Sequence, residues 1–265
     1  MKTHATLLLT FLLILTSCQP ASPPPLTETA APTEEPISTP EPPTATPLPT
    51  VSPTPSSNRS AAFTEVENVV ESRPSESAAY APAAVGLKFP VGGQARTGDD
   101  GRARVDLAPD GTIVRIAPNT IFTLTELQED EEGPFTWLEL LLGQIYIILS
   151  GGELHVKTPS GVAAVRGSMM GVYYDPQTGT MTATCLEGHC SLENDKGRIE
   201  LVAGQAADIR DGVLSREPRP LTDFELQDWL DFTPELKNRP DMLHDLRDRI
   251  ENLPPLPRPR PRPRP

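Results

Sequence analysis

The sequence predicts an all-β fold, either a sandwich, a roll or a short β-solenoid of many short strands, followed by a small C-terminal helical pair. Short β-favouring segments in the middle of the chain are separated by glycine-containing turns. The 32 prolines of the 265 residues fall mainly in two tails, which leaves a middle large enough for one buried core. After Pro220 the apolar spacing becomes helical.

The first 17 residues are predicted to be a lipoprotein signal peptide. Lys2 precedes an apolar run at residues 7–15 that is too short to span a bilayer. The segment Leu15-Thr16-Ser17-Cys18 resembles the lipobox of bacterial lipoproteins, which implies lipidation of Cys18 and anchoring on the outer side of a membrane. A plain secretory signal with a chance cysteine is the alternative.

Two proline-rich segments are predicted to be disordered. Residues 18–60 are nearly all Pro, Thr, Ser, Ala and Glu, a composition that buries too little apolar surface to fold and suits a spacer. Residues 254–265 alternate Pro with Arg, and such a rod either contacts anionic envelope polymers or lipid headgroups or only aids solubility. The formal charge of −13 argues against a nucleic-acid partner.

The β domain is predicted over residues 91–214, after a boundary segment at 61–90 whose pattern fits either a strand or a helix. Apolar and charged residues alternate from Arg102 to Leu107, and turns such as Pro109-Asp110-Gly111 separate the segments. Further strands are predicted at residues 113–116, 121–127, 137–142, 143–149, 154–158, 181–186, 199–202 and 206–209. The acidic run at residues 126–132 is predicted to be a solvated loop, because its oxygens lack the order of a calcium loop.

The stretch from Thr158 to Tyr174 is predicted to form two buried strands that meet at a bend. Arg166 interrupts its apolar run, and a buried arginine needs a carboxylate or several carbonyls as partners. Gly167 either supplies a positive φ or lets another backbone approach closely. We therefore expect Arg166 to be a structural tie between strands, with an anion contact as the alternative.

The segment 220–253 is predicted to form two helices that cover an open face or end of the β domain. Thr222 and Glu225 have the spacing of a capping box, and Pro234 ends the first helix. A second apolar face at helical spacing runs from about residue 240 to 253. A partner-binding role for this surface is the alternative.

Cys185 and Cys190 are predicted to form a disulfide. Two strands joined through Glu187-Gly188 would place them across a tight hairpin, and an exported protein is oxidised. A metal site with His189, or a redox sensor, is the alternative.

No enzymatic activity and no cofactor are predicted. Ser168 lies in RGSMMG, which lacks the G-x-S-x-G elbow, and the histidines of the β region, His155 and His189, belong to different predicted strands.

Residues from about 91 to 210 resemble the FecR domain. Seven pieces in order carry the resemblance: residues 96–104 (RTGDDGRAR), 107–112 (LAPDGT), 116–120 (IAPNT), the strand opening at Gly143, 156–168 (VKTPSGVAAVRGS), Glu187-Gly188, and 203–206 (AGQA). The resemblance implies an extracytoplasmic β module that works through contacts and has no established catalytic residues. Well-known members look like periplasmic sensor halves of iron-uptake regulators, joined through a membrane helix to a cytoplasmic anti-sigma segment.

Two functions are consistent with these features. The first is a non-enzymatic, lipid-anchored extracytoplasmic protein that binds an envelope component or a protein partner. The second is an accessory of envelope signalling of the sigma/anti-sigma type. Because we expect no internal membrane helix and no cytoplasmic segment here, direct sigma-factor control is not inherited from the resemblance.

Overall fold

A computed structural model describes residues 58–131 and 133–252, which form one mixed sheet of fifteen strands with two C-terminal α-helices. The predicted all-β fold with a helical pair is confirmed. The predicted signal peptide, Cys18, nearly all of the linker and the Pro–Arg tail lie outside the described residues, and the predicted domain limits stay predictions.

The strands are numbered along the chain. They are β1 Ser60–Glu67, β2 Val70–Arg73, β3 Ala81–Pro82, β4 Gln94–Thr97, β5 Arg102–Ala108, β6 Thr112–Ile116, β7 Ile121–Asp130, β8 Gly133–Ile148, β9 Glu153–Thr158, β10 Gly161–Asp175, β11 Thr180–Asn194, β12 Gly197–Val202, β13 Gln205–Arg210, β14 Val213–Leu214 and β15 Arg219–Pro220. The helices are α1 Asp223–Phe232, a 3₁₀ helix Pro234–Asn238 and α2 Pro240–Asn252.

Three long strands, β8, β10 and β11, organise the sheet because each changes partners midway. The first part of β8 pairs with β7 and, in parallel, with β9, whereas its second part pairs with β6 and β10. Strand β10 pairs first with β9 and then with β8, and β11 pairs first with β13 and then with β12. The sheet therefore encloses one core between its two halves.

Strands β10 and β11 bend at the same level. The pairing register shifts between Arg166 and Met169, and two glycines, Gly167 (φ 58°) and Gly188 (φ 72°), face each other there with positive φ. The two strands predicted on either side of Arg166 are thus one strand, since a glycine in this conformation bends a strand without ending its pairing. The predicted strands at 137–142 and 143–149 likewise form one strand, β8.

The boundary segment is β-structure. Strand β1 pairs with β5, and the rings of Phe63 and Phe89 lie 5.3 Å apart in the core. The acidic run predicted to be a loop lies largely in β7, which extends to Asp130 because the β7–β8 hairpin continues pairing to its tip.

Helix α1 covers one outer face of the sheet, as predicted. Its N-cap is Thr222, and the capping box with Glu225 is present. Trp229 is 1% exposed, packs edge-on against Tyr146 at 4.9 Å and donates a hydrogen bond from Nε1 to Thr184 Oγ1 at 3.1 Å. Tyr146 and Trp229 belong to a second apolar cluster, smaller than the main core, which also includes Leu236 and, from α2, Leu246. Burial of this cluster holds the helical segment on the sheet.

Candidate functional site

Arg166 lies on the outer surface of β10, and the expectation that it is buried was wrong. Its side chain is 70% exposed. The apolar run before it alternates about the sheet, so Val165 points into the core and Arg166 points outward. Gly167 has open space where a Cβ would stand, so it supplies the positive φ of the bend and not a close backbone approach.

Arg166 belongs to a surface cluster that we call the aromatic face, formed by Phe135, Trp137, Glu153, His155 and Arg166. The strand register assembles it. Phe135 and Trp137 of β8 lie opposite Glu153 and His155 of β9, and Glu153 in turn lies opposite Arg166 of β10. Each residue occupies an outward position of its strand, so three adjacent strands present them together.

The five side chains contact one another. The imidazole of His155 stacks on the indole of Trp137, with ring centroids 4.3 Å apart and an interplanar angle of 25°. The ring of Phe135 lies 5.5 Å from the His155 ring. The Glu153 carboxylate accepts a hydrogen bond from Arg166 Nη2 at 2.9 Å, and its other oxygen lies 2.9 Å from His155 Nε2. The face is therefore ordered before any partner arrives.

Glu153 keeps its negative charge in this arrangement. The hydrogen bond from Arg166 lowers the pKa of the Glu153 carboxyl below its ordinary value, against the opposing effect of partial burial and with help from His155. The face thus offers a fixed carboxylate, a guanidinium that is mostly solvent-exposed, and a half-buried aromatic surface. Aromatic residues and arginine are the residue types enriched in protein interfaces.

Ser168, which the sequence does not favour as a nucleophile, is turned inward. It is 3% exposed, and its Oγ makes no hydrogen bond within the described residues. A Cβ on Gly188 would stand 2.6 Å from that Oγ, so the two bent strands close over the hydroxyl. A buried hydroxyl without a contacting base has no access to a substrate.

The two cysteines of the β domain lie at disulfide distance, with Cα atoms 5.8 Å apart. The predicted hairpin between them was wrong, because both belong to β11. The bulge at Leu186 to Gly188 shortens the path between them and directs both side chains into the core. Two cysteines joined in a disulfide have no thiolates to bind a metal ion. Within the described ranges there is also no cluster of three or more metal-ligating residues.

The sequence interpretation missed a buried ion pair at the start of the described chain. Arg59 pairs with Asp110, and the two side chains are only 1% and 7% exposed. Arg59 also donates hydrogen bonds to the carbonyl oxygens of Gln128 and Phe135 and to Thr136 Oγ1, at 2.8–2.9 Å. The signal was present in the turn Pro109-Asp110-Gly111, but the partner lies 51 residues away in a segment that resembles a linker end.

No helix between residues 58 and 252 combines the length and apolar character needed to cross a membrane.

The solved structures that resemble the chain include two crystal structures, at 1.65 and 2.50 Å resolution, of a candidate anti-sigma factor from Parabacteroides distasonis. Each is 16% identical to this chain with a TM-score of 0.44, and the alignments cover 52% of this chain and 64% or 63% of the solved chain. The chain therefore spans less than two thirds of that protein. No curated protein matches the chain. Among protein families, residues 93–191, which run from β4 into β11 and include the aromatic face, match the model described as FecR protein.

Proposed function

We propose that this chain is a non-enzymatic, lipid-anchored extracytoplasmic protein whose FecR domain binds a protein partner or an envelope component through the aromatic face. The observation that carries the proposal is the pre-ordered cluster of Trp137, His155, Glu153 and Arg166 on three adjacent strands. Such a surface suits contact recognition, since its side chains lose little freedom on binding. The inward position of Ser168 speaks against hydrolysis at the same stretch.

The test of the face is capture from solubilised bacterial envelopes with the full chain as bait. Arg166→Glu places two carboxylates side by side with Glu153 and should abolish capture of a specific partner. Arg198→Glu is the matched control, because Arg198 is also exposed (53%) and also pairs with glutamates, but on β12. Equal capture by both variants would contradict the proposal.

Digestion of the captured material separates the two kinds of partner. Loss of the captured species after protease treatment identifies a protein, and loss after a peptidoglycan hydrolase identifies a wall polymer. Recovery of neither in the wild-type chain would contradict binding by this face.

The lipid anchor is tested separately. Cys18→Ala in the full chain should move the protein from the detergent phase to the aqueous phase and remove sensitivity to an inhibitor of lipoprotein signal peptidase. Unchanged membrane partition in the variant would contradict lipidation.

A second candidate function, an accessory of envelope signalling, is favoured by the FecR match over residues 93–191. A strain lacking the gene should then change the output of an extracytoplasmic sigma-factor reporter under envelope stress. Complementation with the Arg166→Glu variant should fail, whereas the Arg198→Glu variant should restore the output. A reporter that does not respond to deletion would contradict this function.

A further inference from the structure

A second surface, which shares no residue with the aromatic face and lies on the later parts of β8 and β10, on β11, β13 and α1, has the features of a ligand site. It is a cleft of ≈ 590 Å³ between the outer face of the sheet and the side of helix α1. This volume lies within the range of small-ligand sites in proteins. The cleft forms because α1 covers only part of the sheet: Trp229 closes over Gly171 and Thr184, and the remaining face stays open.

The floor of the cleft is a polar row that crosses four strands at one level. Gln144 of β8 lies opposite Tyr173 of β10, Tyr173 lies opposite Thr182 of β11, and Thr182 lies opposite Asp208 of β13. Three gaps of about 4.8 Å make the row about 14 Å long. It therefore offers hydrogen-bonding groups along a line, which suits an extended ligand better than a compact one.

Two exposed aromatic rings line the cleft, one within this row and one on the helix. Tyr173 is 39% exposed on the sheet, and Phe224 is 74% exposed on the first turn of α1. Large exposed aromatic side chains gain stabilisation when a ligand covers them, and ligand sites combine such aromatic side chains with a few placed polar groups.

Three polar groups in the cleft are left for a ligand. Between residues 58 and 252, the amide of Gln144, the hydroxyl of Tyr173 and the carboxyl of Asp228 make no side-chain hydrogen bond. Burial, together with the nearby carboxylates of Asp231 and Glu225, raises the pKa of the Asp228 carboxyl above its ordinary value. These groups supply both donors and acceptors.

The charges of the cleft are already matched. Arg219 makes bidentate contacts to Asp208 and to Glu225, with the shortest N–O distances at 2.9 and 2.6 Å. Arg210 lies 3.6 Å from the Asp208 carboxylate. Both lining arginines therefore face carboxylates, and an anionic ligand would meet the net negative field of a chain with a formal charge of −13.

We propose that this cleft binds a short segment of a neutral carbohydrate. A pyranose ring has an apolar face of C–H groups that packs on an aromatic ring and an edge of hydroxyl groups that both donate and accept hydrogen bonds. Tyr173 and Phe224 match the first, and the Gln144 amide, the Tyr173 hydroxyl and the Asp228 carboxyl match the second. This site does not involve the residues of the aromatic face and does not depend on the partner proposed for it.

The test is isothermal titration of the full chain, purified in detergent, with three neutral trisaccharides: chitotriose, cellotriose and maltotriose. Trigalacturonic acid is the anionic comparison. At least one neutral trisaccharide should bind more tightly than the anionic one. Tyr173→Ala and Phe224→Ala should each weaken that binding by about tenfold or more. Leu87→Ala is the matched control, since Leu87 is 41% exposed and lies far along the chain in the β3–β4 connection.

Tyr173→Phe keeps the ring and removes the hydroxyl, so it should weaken binding less than Tyr173→Ala and distinguishes ring stacking from misfolding. Arg166→Glu should leave saccharide affinity unchanged, which separates this site from the aromatic face. The proposal is overturned if none of the neutral trisaccharides binds, if the anionic one binds best, or if Tyr173→Ala and Leu87→Ala bind equally well.

Discussion

Two arginines of this protein, Arg59 and Arg166, occupy opposite kinds of environment, and the sequence suggests the reverse assignment. Arg59 stands at the end of a proline-rich segment, yet its side chain is 1% exposed and paired with Asp110. Arg166 interrupts an apolar run, yet its side chain is 70% exposed and paired with Glu153. The local sequence around an arginine therefore does not decide whether it is buried.

The burial of each arginine depends on the side-chain alternation along its strand and on which distant backbone segments pack around it. Arg166 follows a run in which every second residue points outward, and the bend at Gly167 leaves it on the surface. Arg59 lies where the start of β1 contacts the β5–β6 turn and the β7–β8 hairpin, so three backbone regions surround its side chain. Only the assembled fold provides those carbonyl groups.

The largest effect is expected at Arg59. Arg59→Ala removes the charged partner of the buried Asp110 carboxylate and a donor to two carbonyl groups, which should lower the free energy of unfolding by about 3–5 kcal/mol. Arg59→Lys should recover only part of this loss, because an ammonium group does not reproduce the planar set of donors. Urea denaturation of both variants measures the difference.

The double variant Arg59→Ala with Asp110→Ala is the control for the pair. It should be less destabilised than the sum of the two single variants, since neither charge is then buried alone. Additive losses would contradict the ion pair as the source of the effect.

The next effect is expected at Arg219, whose side chain is 20% exposed between Asp208 and Glu225. Burial is the largest single influence and would raise the pKa of both carboxyls. The hydrogen bonds and charge of Arg219, together with hydrogen bonds from Thr182 to Asp208 and from Thr222 to Glu225, more than reverse this, so both pKa values lie below their ordinary values. Arg219→Ala should cost about 2–3 kcal/mol at neutral pH, less than a fully buried pair.

The contacts of Arg219 with Asp208 and Glu225 make the free energy of unfolding depend on pH, with a defined sign. Because the folded pKa values are lowered, the stabilisation is complete above the ordinary pKa values of 3.8 and 4.5 and is lost as the pH falls through the lower folded values. Without Arg219, burial favours the protonated forms of Asp208 and Glu225. The difference in free energy of unfolding between Arg219→Ala and the wild type should therefore become smaller as the pH falls. Urea titrations from pH 7 to about pH 3 test this, and a constant gap would contradict the assignment.

Much of the fold was predictable because its signals are local. Alternation from Arg102 to Leu107 and the capping box of Thr222 and Glu225 depend on neighbouring residues, and both elements occur where expected. The continuity of β8 through Gly143 and of β11 through Gly188 was not predictable, because a glycine ends a strand or bends it according to partners that are distant in sequence.

The site was less predictable than the fold. The alternation of Leu154, His155 and Val156 puts His155 on the outer face, but its stacking on Trp137 requires the parallel pairing of β8 with β9, and no local pattern encodes that register. The cleft under α1 likewise depends on where the helix stops covering the sheet. The pairing of Cys185 with Cys190 was predicted from their closeness in sequence and from oxidation, but across a hairpin, whereas both residues lie on β11.

The disulfide is expected to contribute less than the buried arginines. Cys185→Ser with Cys190→Ser should lower the free energy of unfolding by about 2 kcal/mol, the low end of the usual range, because the bond closes a loop of few residues. Peptide mass spectrometry without reduction should find the two residues linked in the full chain purified without a reducing agent. Two free thiols, or equal stability of the double variant and the wild type, would contradict this prediction.

The smallest effect on stability is expected at Arg166, and it completes the contrast with Arg59. Because the Arg166–Glu153 pair is exposed, Arg166→Ala should change the free energy of unfolding by no more than about 1 kcal/mol. Arg198→Ala, on β12, is the matched surface control and should behave alike in urea denaturation. The two variants should differ only in binding, where Arg166→Ala loses the partner of the aromatic face. A loss of stability at Arg166 as large as that at Arg59 would mean that β10 is held differently from the geometry described above, and Arg166 would then be the structural tie that its sequence context suggests.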